Sequence, residues 1–279
     1  LEVNGISLLV AGQAGGQASV PDTWAYKIAQ TIKLILDPSA DNIDLQAQTR
    51  ALETLKGEQG TWHEGRPTLQ RVMNESGEAY DPNPLENWSY YGRDLEDRFD
   101  THMSTDVIWH SKNQQDHNSI TINRDITEVL EHLMHTVHLY GVKGAVPGSV
   151  EALNGFLESD QAYKSSELWM AMQEAISNDV FSLSGYDQIP PDYIATKEYT
   201  YLLNFGMWEF GDEFWEGRSL APEWSDQAKT VQGIKDLNAL GYELFMKYFD
   251  PVLSKPEIGT LRSTFQSDDP GQSGYVWDT

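Results

Sequence analysis

Three histidines and two glutamates lie within the eleven residues from Glu128 to His138, in the run EVLEHLMHTVHLYG. The whole chain has only seven histidines, and six of them fall between His102 and His138. Imidazole is the commonest metal ligand and the one side chain that ordinarily titrates near neutral pH. Carboxylates are the other oxygen or nitrogen donors that zinc accepts. The residue types therefore point to a divalent transition metal, zinc first, or to proton transfer at a site. Glu128, Glu131, His135 and His138 are spaced by three, four and three. On a helix such positions stack into one stripe, with Cβ atoms about 5–6 Å apart, close enough to share an ion.

The element that must hold this stripe is a helix from about Ile126 to Tyr140, capped by Asp125 or Thr127 and stopped at Gly141. Advancing about 100° per residue from Ile126 puts Val129, Leu130, Leu133, Val137 and Tyr140 on one apolar face. The glutamates and histidines fall opposite. An ordinary solvated helix face competes with this reading, but such faces are filled with Lys and Arg, and none stands between Thr127 and Val142.

EHLMHTVHLYG resembles the metal-binding helix of zincin metallopeptidases, and most closely the metzincin form HExxHxxGxxH. The match sets His135 on the second zinc-binding histidine. The first two positions are inverted: Glu131 stands in place of the first histidine, and His132 in place of the general-base glutamate. His138 takes the glycine position, and Gly141 that of the third histidine. The resemblance implies a zincin-like core, zinc held by Glu131, His135 and His138, and His132 or Glu128 as the proton-handling groups. Glu198, on a later helix, is the further ligand by analogy with glutamate-bearing zincins, with Glu209 as its alternative. A carboxylate ligand leaves the metal less positive and its bound water less acidic, so hydrolysis of peptides, the implied activity, would be weak.

Composition limits the alternatives. The chain of 279 residues carries 43 acidic and 19 basic side chains, a net charge of −24. That surplus disfavours nucleic acid, which needs a basic footprint, and suits a site that attracts cations. The absence of cysteine excludes disulfides, thiolate metal sites and thiol catalysis. No apolar run approaches the roughly 20 residues of a membrane span. Lack of cysteine, acidic charge and a first residue other than Met together suggest an exported, processed bacterial chain at the cell surface or beyond it. Neither a GxSxG elbow, a Walker loop nor a GxGxxG turn occurs. SDDPGQSG near the end could contribute to a calcium site, or be a plain turn.

Along the chain, LEVNGISLLV reads as a strand and residues 11–19 as a flexible linker. Helices are expected at Trp24–Leu36, Asp44–Lys56, Ser165–Ile176, Ala195–Trp215 and Val231–Phe249. Between Gly57 and Asp100 the composition favours loops and short helices, including RPTLQRVM at Arg66–Met73. STDVIWH (Ser104–His110) and NSITIN (Asn118–Asn123) read as two strands of a hairpin. The expectation is an α+β fold, predominantly α-helical with a few short strands: one domain of two lobes, with a boundary near residues 185–193. A non-enzymatic extracellular module, such as a fragment of an adhesin, is the competing functional reading.

Overall fold

The computed structural model describes residues 1–11, 19–74, 101–110, 119–155, 162–184, 192–214 and 223–266. The expected linker, the break at 185–191, the KNQQDH loop and the SDDPGQSG segment all fall, in whole or for the most part, outside those residues. Four strands are described: β1 (Glu2–Val3), β2 (Ile6–Val10), β3 (Thr68–Asn74) and β4 (Val107–His110). The main helices are α1 (Asp22–Ile35), α2 (Leu45–Leu55), α3 (Ser119–Tyr140), α4 (Glu167–Ser177), α5 (Asp192–Met207), α6 (Val231–Leu237), α7 (Ala239–Leu244) and α8 (Ile258–Phe265). The fold is α+β and mostly helical, as the sequence pattern predicts. None of the described helices is long and apolar enough to cross a membrane.

The chain divides into two compact units. The first comprises Leu1–Leu36, Leu52–Thr136 and Pro256–Thr279. Its sheet has the order β1-β2-β3-β4. The turn between β1 and β2 is Asn4-Gly5, with φ of 49° and 83°. Positive φ at both central residues is what a two-residue hairpin turn requires, and Asn-Gly supplies it with least strain. β2 pairs with β3, and β3 with β4, in parallel. Ile6, Leu8, Leu69, Val72, Val107 and Ile108 are buried in this sheet. Trp24 of α1 packs edge-on against Phe265 of α8 within the same unit.

Two expectations are corrected here. RPTLQRVM is not a helix: Thr68–Asn74 is the central strand β3, buried so far that even Thr68 and Gln70 have no exposed surface. A parallel strand covered on both faces has no polar/apolar alternation to betray it. NSITIN does not pair with β4 as a hairpin strand; from Ser119 it is the first part of α3, which therefore starts seven residues before the expected Ile126. The β preference of Ile and Thr is a weak bias, worth about 1 kcal/mol at most, and packing overrides it.

The second unit comprises Asp37–Ala51 and Val137–Lys255. Asp44 caps α2, its Oδ1 accepting from the amides of Gln46 and Ala47 at 2.8 and 3.1 Å. Ser166 caps α4 through the amide of Trp169. The expected helix 195–215 is interrupted: α5 ends at Met207, and Glu209 adopts a φ of 56° before the short turn Gly211–Phe214. The expected helix 231–249 is likewise three pieces, broken at Asn238 and closing in a π turn at Phe245–Phe249. Asn238 is buried and bonded on both sides of its amide. It accepts from the Tyr199 hydroxyl at 2.7 Å and donates to Glu174 and the carbonyl of Ala171 at 2.9 Å.

Candidate metal centre

Helix α3 is not an ordinary surface helix. Ile126, Val129, Leu130, Leu133, Val137 and Tyr140 are buried, as their spacing predicts. From Leu133 to Tyr140, however, every residue is buried, including His135 and His138 on the side expected to be polar. The solvated-face reading therefore fails. Burying imidazoles costs free energy unless their nitrogens are bonded or ligated, so the partners of these rings decide what the helix does.

His135 Nδ1 lies 2.7 Å from Oδ2 of Asp106. His132 Nδ1 approaches the same oxygen at 3.2 Å, out of line for a good hydrogen bond. On the far side of its ring, His132 Nε2 stands 3.2 Å from Oε1 of Glu128. The two imidazoles are 5.7 Å apart and nearly perpendicular. One donor atom from each of Asp106, His132 and His135 falls within 4.8 Å of the others, so the three form a group that could hold a metal ion. The His135 side chain is fully buried, whereas those of His132 and Asp106 keep 15% and 18% of their surface exposed, although Nδ1 of His132 is itself buried.

The sheet positions Asp106. It immediately precedes β4, and its carbonyl accepts from Gln70 Nε2 and Arg71 Nε of β3, both at 3.2 Å. Its Oδ1 accepts from the amide of Val107 at 2.9 Å, leaving Oδ2 for the histidines. Gln70 also ties the strand to the helix, since its Oε1 accepts from the Thr136 hydroxyl at 2.5 Å. Glu128 makes a second tie, its Oε1 accepting from the amide of Trp109 in β4 at 3.0 Å.

Charge follows this geometry. Burial pushes Asp106 up, but its interactions with His132 and then His135 outweigh that and hold the carboxyl far below its ordinary range. Burial pushes His132 down, but Asp106 and then Glu128 raise it well above its ordinary value of 6.5. An imidazole held between two carboxylates is favoured as a cation, or as a neutral ring with another cation in place of one proton.

The sequence-derived candidates are distributed as follows. Glu128, His132 and His135 come together, with Glu128 bracing His132 from outside. The Glu131 carboxylate lies within 4.8 Å of a His135 ring nitrogen. His138 is wholly buried and meets the ring of Phe249 edge-on, at 4.7 Å between centroids. Glu198 lies on α5 in the second unit, its carboxylate 3.8 Å from Lys197 Nζ. Its alternative Glu209 accepts from the amide of Val231. Of the other clustered histidines, His102 bonds Thr101, His110 packs on Trp24, and His117 lies outside the described residues.

Sequence reasoning missed Asp106 and Gln70. Asp106 is a lone acid before an apolar strand, and only the parallel pairing of β3 with β4 brings it to the helix. The one available signal was the concentration of histidines across 102–138, which spans that strand as well as α3. No protein-family model, no curated protein and no solved structure matches the chain.

Proposed function

We propose that the protein binds a divalent transition metal at Asp106, His132 and His135. The observation that carries the reading is the convergence of both Nδ1 atoms on one carboxylate oxygen at the rim of a buried helix. The donor set fits such an ion: two imidazoles and a carboxylate suit zinc, and the same set in a facial arrangement suits iron(II). Zinc is the first expectation because these ligands satisfy it without a redox partner. Three protein ligands would leave positions open for water or substrate. A metal there would supply Lewis-acid polarisation and a more acidic bound water.

Hydrolysis of peptide bonds is the activity we infer from the zincin-like residue order. In that reading, Asp106 and His135 hold the ion, His132 is ligand or proton carrier, and Glu131 brings a further carboxylate within 4.8 Å of a His135 ring nitrogen. The lack of cysteine and the acidic surplus accord with an exported protein working in a cation-rich medium.

A metal-free role is favoured by a different observation. The 2.7 Å bond between His135 and Asp106 is a good hydrogen bond in its own right, so the cluster could simply fasten α3 to β4. Elemental analysis of protein purified without nickel resin separates the two. Stoichiometric metal that is lost in His135→Ala supports the centre. Absence of metal, together with no uptake of added zinc, cobalt or iron(II), sinks it. Cleavage of unstructured peptides that stops on chelation and returns with zinc supports the hydrolase; stoichiometric metal without cleavage leaves a binding protein.

A further inference from the structure

We propose that Glu128 is a positioning residue that fixes the tautomer of His132 and so makes Nδ1 the metal-binding atom. The inference rests on the metal centre proposed above and assigns the residue that orients it. Oε1 of Glu128 faces two nitrogens, the Trp109 amide at 3.0 Å and His132 Nε2 at 3.2 Å. An ionised carboxylate oxygen can only accept, so the ring nitrogen it faces carries the proton. In the neutral imidazole the lone pair then belongs to Nδ1, which points at Asp106 Oδ2 from 3.2 Å. The Asp106 carboxylate calls for a positive charge at that nitrogen, a proton in the metal-free imidazolium or a metal ion in its place. A metal ion shared with His135 Nδ1 meets that need.

The brace is itself anchored. The Trp109 amide belongs to β4, where Trp109 pairs with Met73 of β3. Glu128 is four residues before His132 on α3, so carboxylate and ring lie over one another on the same helix face. The ring is therefore held between strand and helix rather than by a side chain free to swing. Outer carboxylates of this kind orient metal-binding histidines and strengthen their basicity.

The test compares wild type, Glu128→Ala and Glu128→Gln for binding of zinc and cobalt(II), with circular dichroism of each metal-free protein to confirm folding. Glutamine keeps an acceptor oxygen for Nε2–H; alanine removes it. The expected result is a loss of about 10–100-fold in affinity for Glu128→Ala, with most of it recovered in Glu128→Gln, and an altered cobalt visible spectrum for the alanine variant alone. Wild-type affinity and spectrum in Glu128→Ala overturn the role while leaving the metal centre standing. If the wild type binds neither metal, the centre falls and this assignment with it. Should the alanine variant not fold, long-range proton–nitrogen NMR of the zinc-loaded wild type decides. His132 protonated at Nε2 and metal-shifted at Nδ1 supports the assignment, and the opposite pattern overturns it.

Discussion

Oδ2 of Asp106 lies 2.7 Å from Nδ1 of His135, joining the residue before β4 to the buried side of α3 across 29 positions of sequence. Replacing Asp106 by alanine removes the acceptor of a buried imidazole as well as a metal ligand. The expected cost in the metal-free protein is about 1–3 kcal/mol, read as a lower denaturant midpoint with an unchanged slope. Zinc affinity should fall in the same variant by far more than in Glu131→Ala, measured by titration.

The charge pattern of the cluster predicts a stability window for the metal-free protein. Asp106 is held below its ordinary 3.8, so its contribution is present above that pH and is lost as pH falls. His132 is raised above 6.5, so its contribution is complete below that pH and is lost as pH rises through its folded value. Thermal unfolding in chelator should therefore show this contribution at its fullest between 3.8 and 6.5. Metal must displace protons from the imidazoles, so the extra stability conferred by zinc should grow as pH rises. A zinc effect independent of pH would place the ion elsewhere.

His138 offers a control on the same helix. Its ring is buried against Phe249, so His138→Ala should behave as a core truncation, costing roughly 2–5 kcal/mol. Zinc affinity of the folded variant should stay within a few-fold of wild type. A loss comparable to that of His135→Ala would restore His138 to the ligand set expected from the sequence.

Two glycines in the loop leading to β3 should respond differently to alanine. Gly57 has a φ of 67°, and an added Cβ would lie 2.7 Å from the backbone of Arg66. Gly60 has a φ of 84° but open space around it. Gly60→Ala should cost about 1–2 kcal/mol, the conformational term alone. Gly57→Ala should cost that plus roughly 1–3 kcal/mol for overpacking. Equal midpoints in chemical denaturation would contradict this.

The helical parts of the fold were legible where local chemistry marks an end: Asp44 before α2, Gly57 after it, Gly141 after α3. The breaks at Glu209 and Asn238 were not, because neither is a glycine or proline. Each instead makes bonds with residues distant in sequence: Glu209 with Val231, and Asn238 with Tyr199, Glu174 and Ala171. Gln70 was illegible for the same reason, since a polar residue reads as exposed until its partners are known. In the candidate site, periodicity selected the right helix and brought out Glu128, His132 and His135. It could not supply Asp106, whose place depends on strand pairing, nor show that His138 turns to an aromatic ring.

The uneven covering of the cluster sets the order in which an ion would be captured. Asp106 and His132 reach solvent, while His135 does not. A hydrated cation would shed its first waters against the outer pair and exchange the last for the inner ring. Uptake then asks that protons leave His132 Nδ1 and the Asp106–His135 bond, with the backbone of the helix intact, and release would retrace that path in reverse.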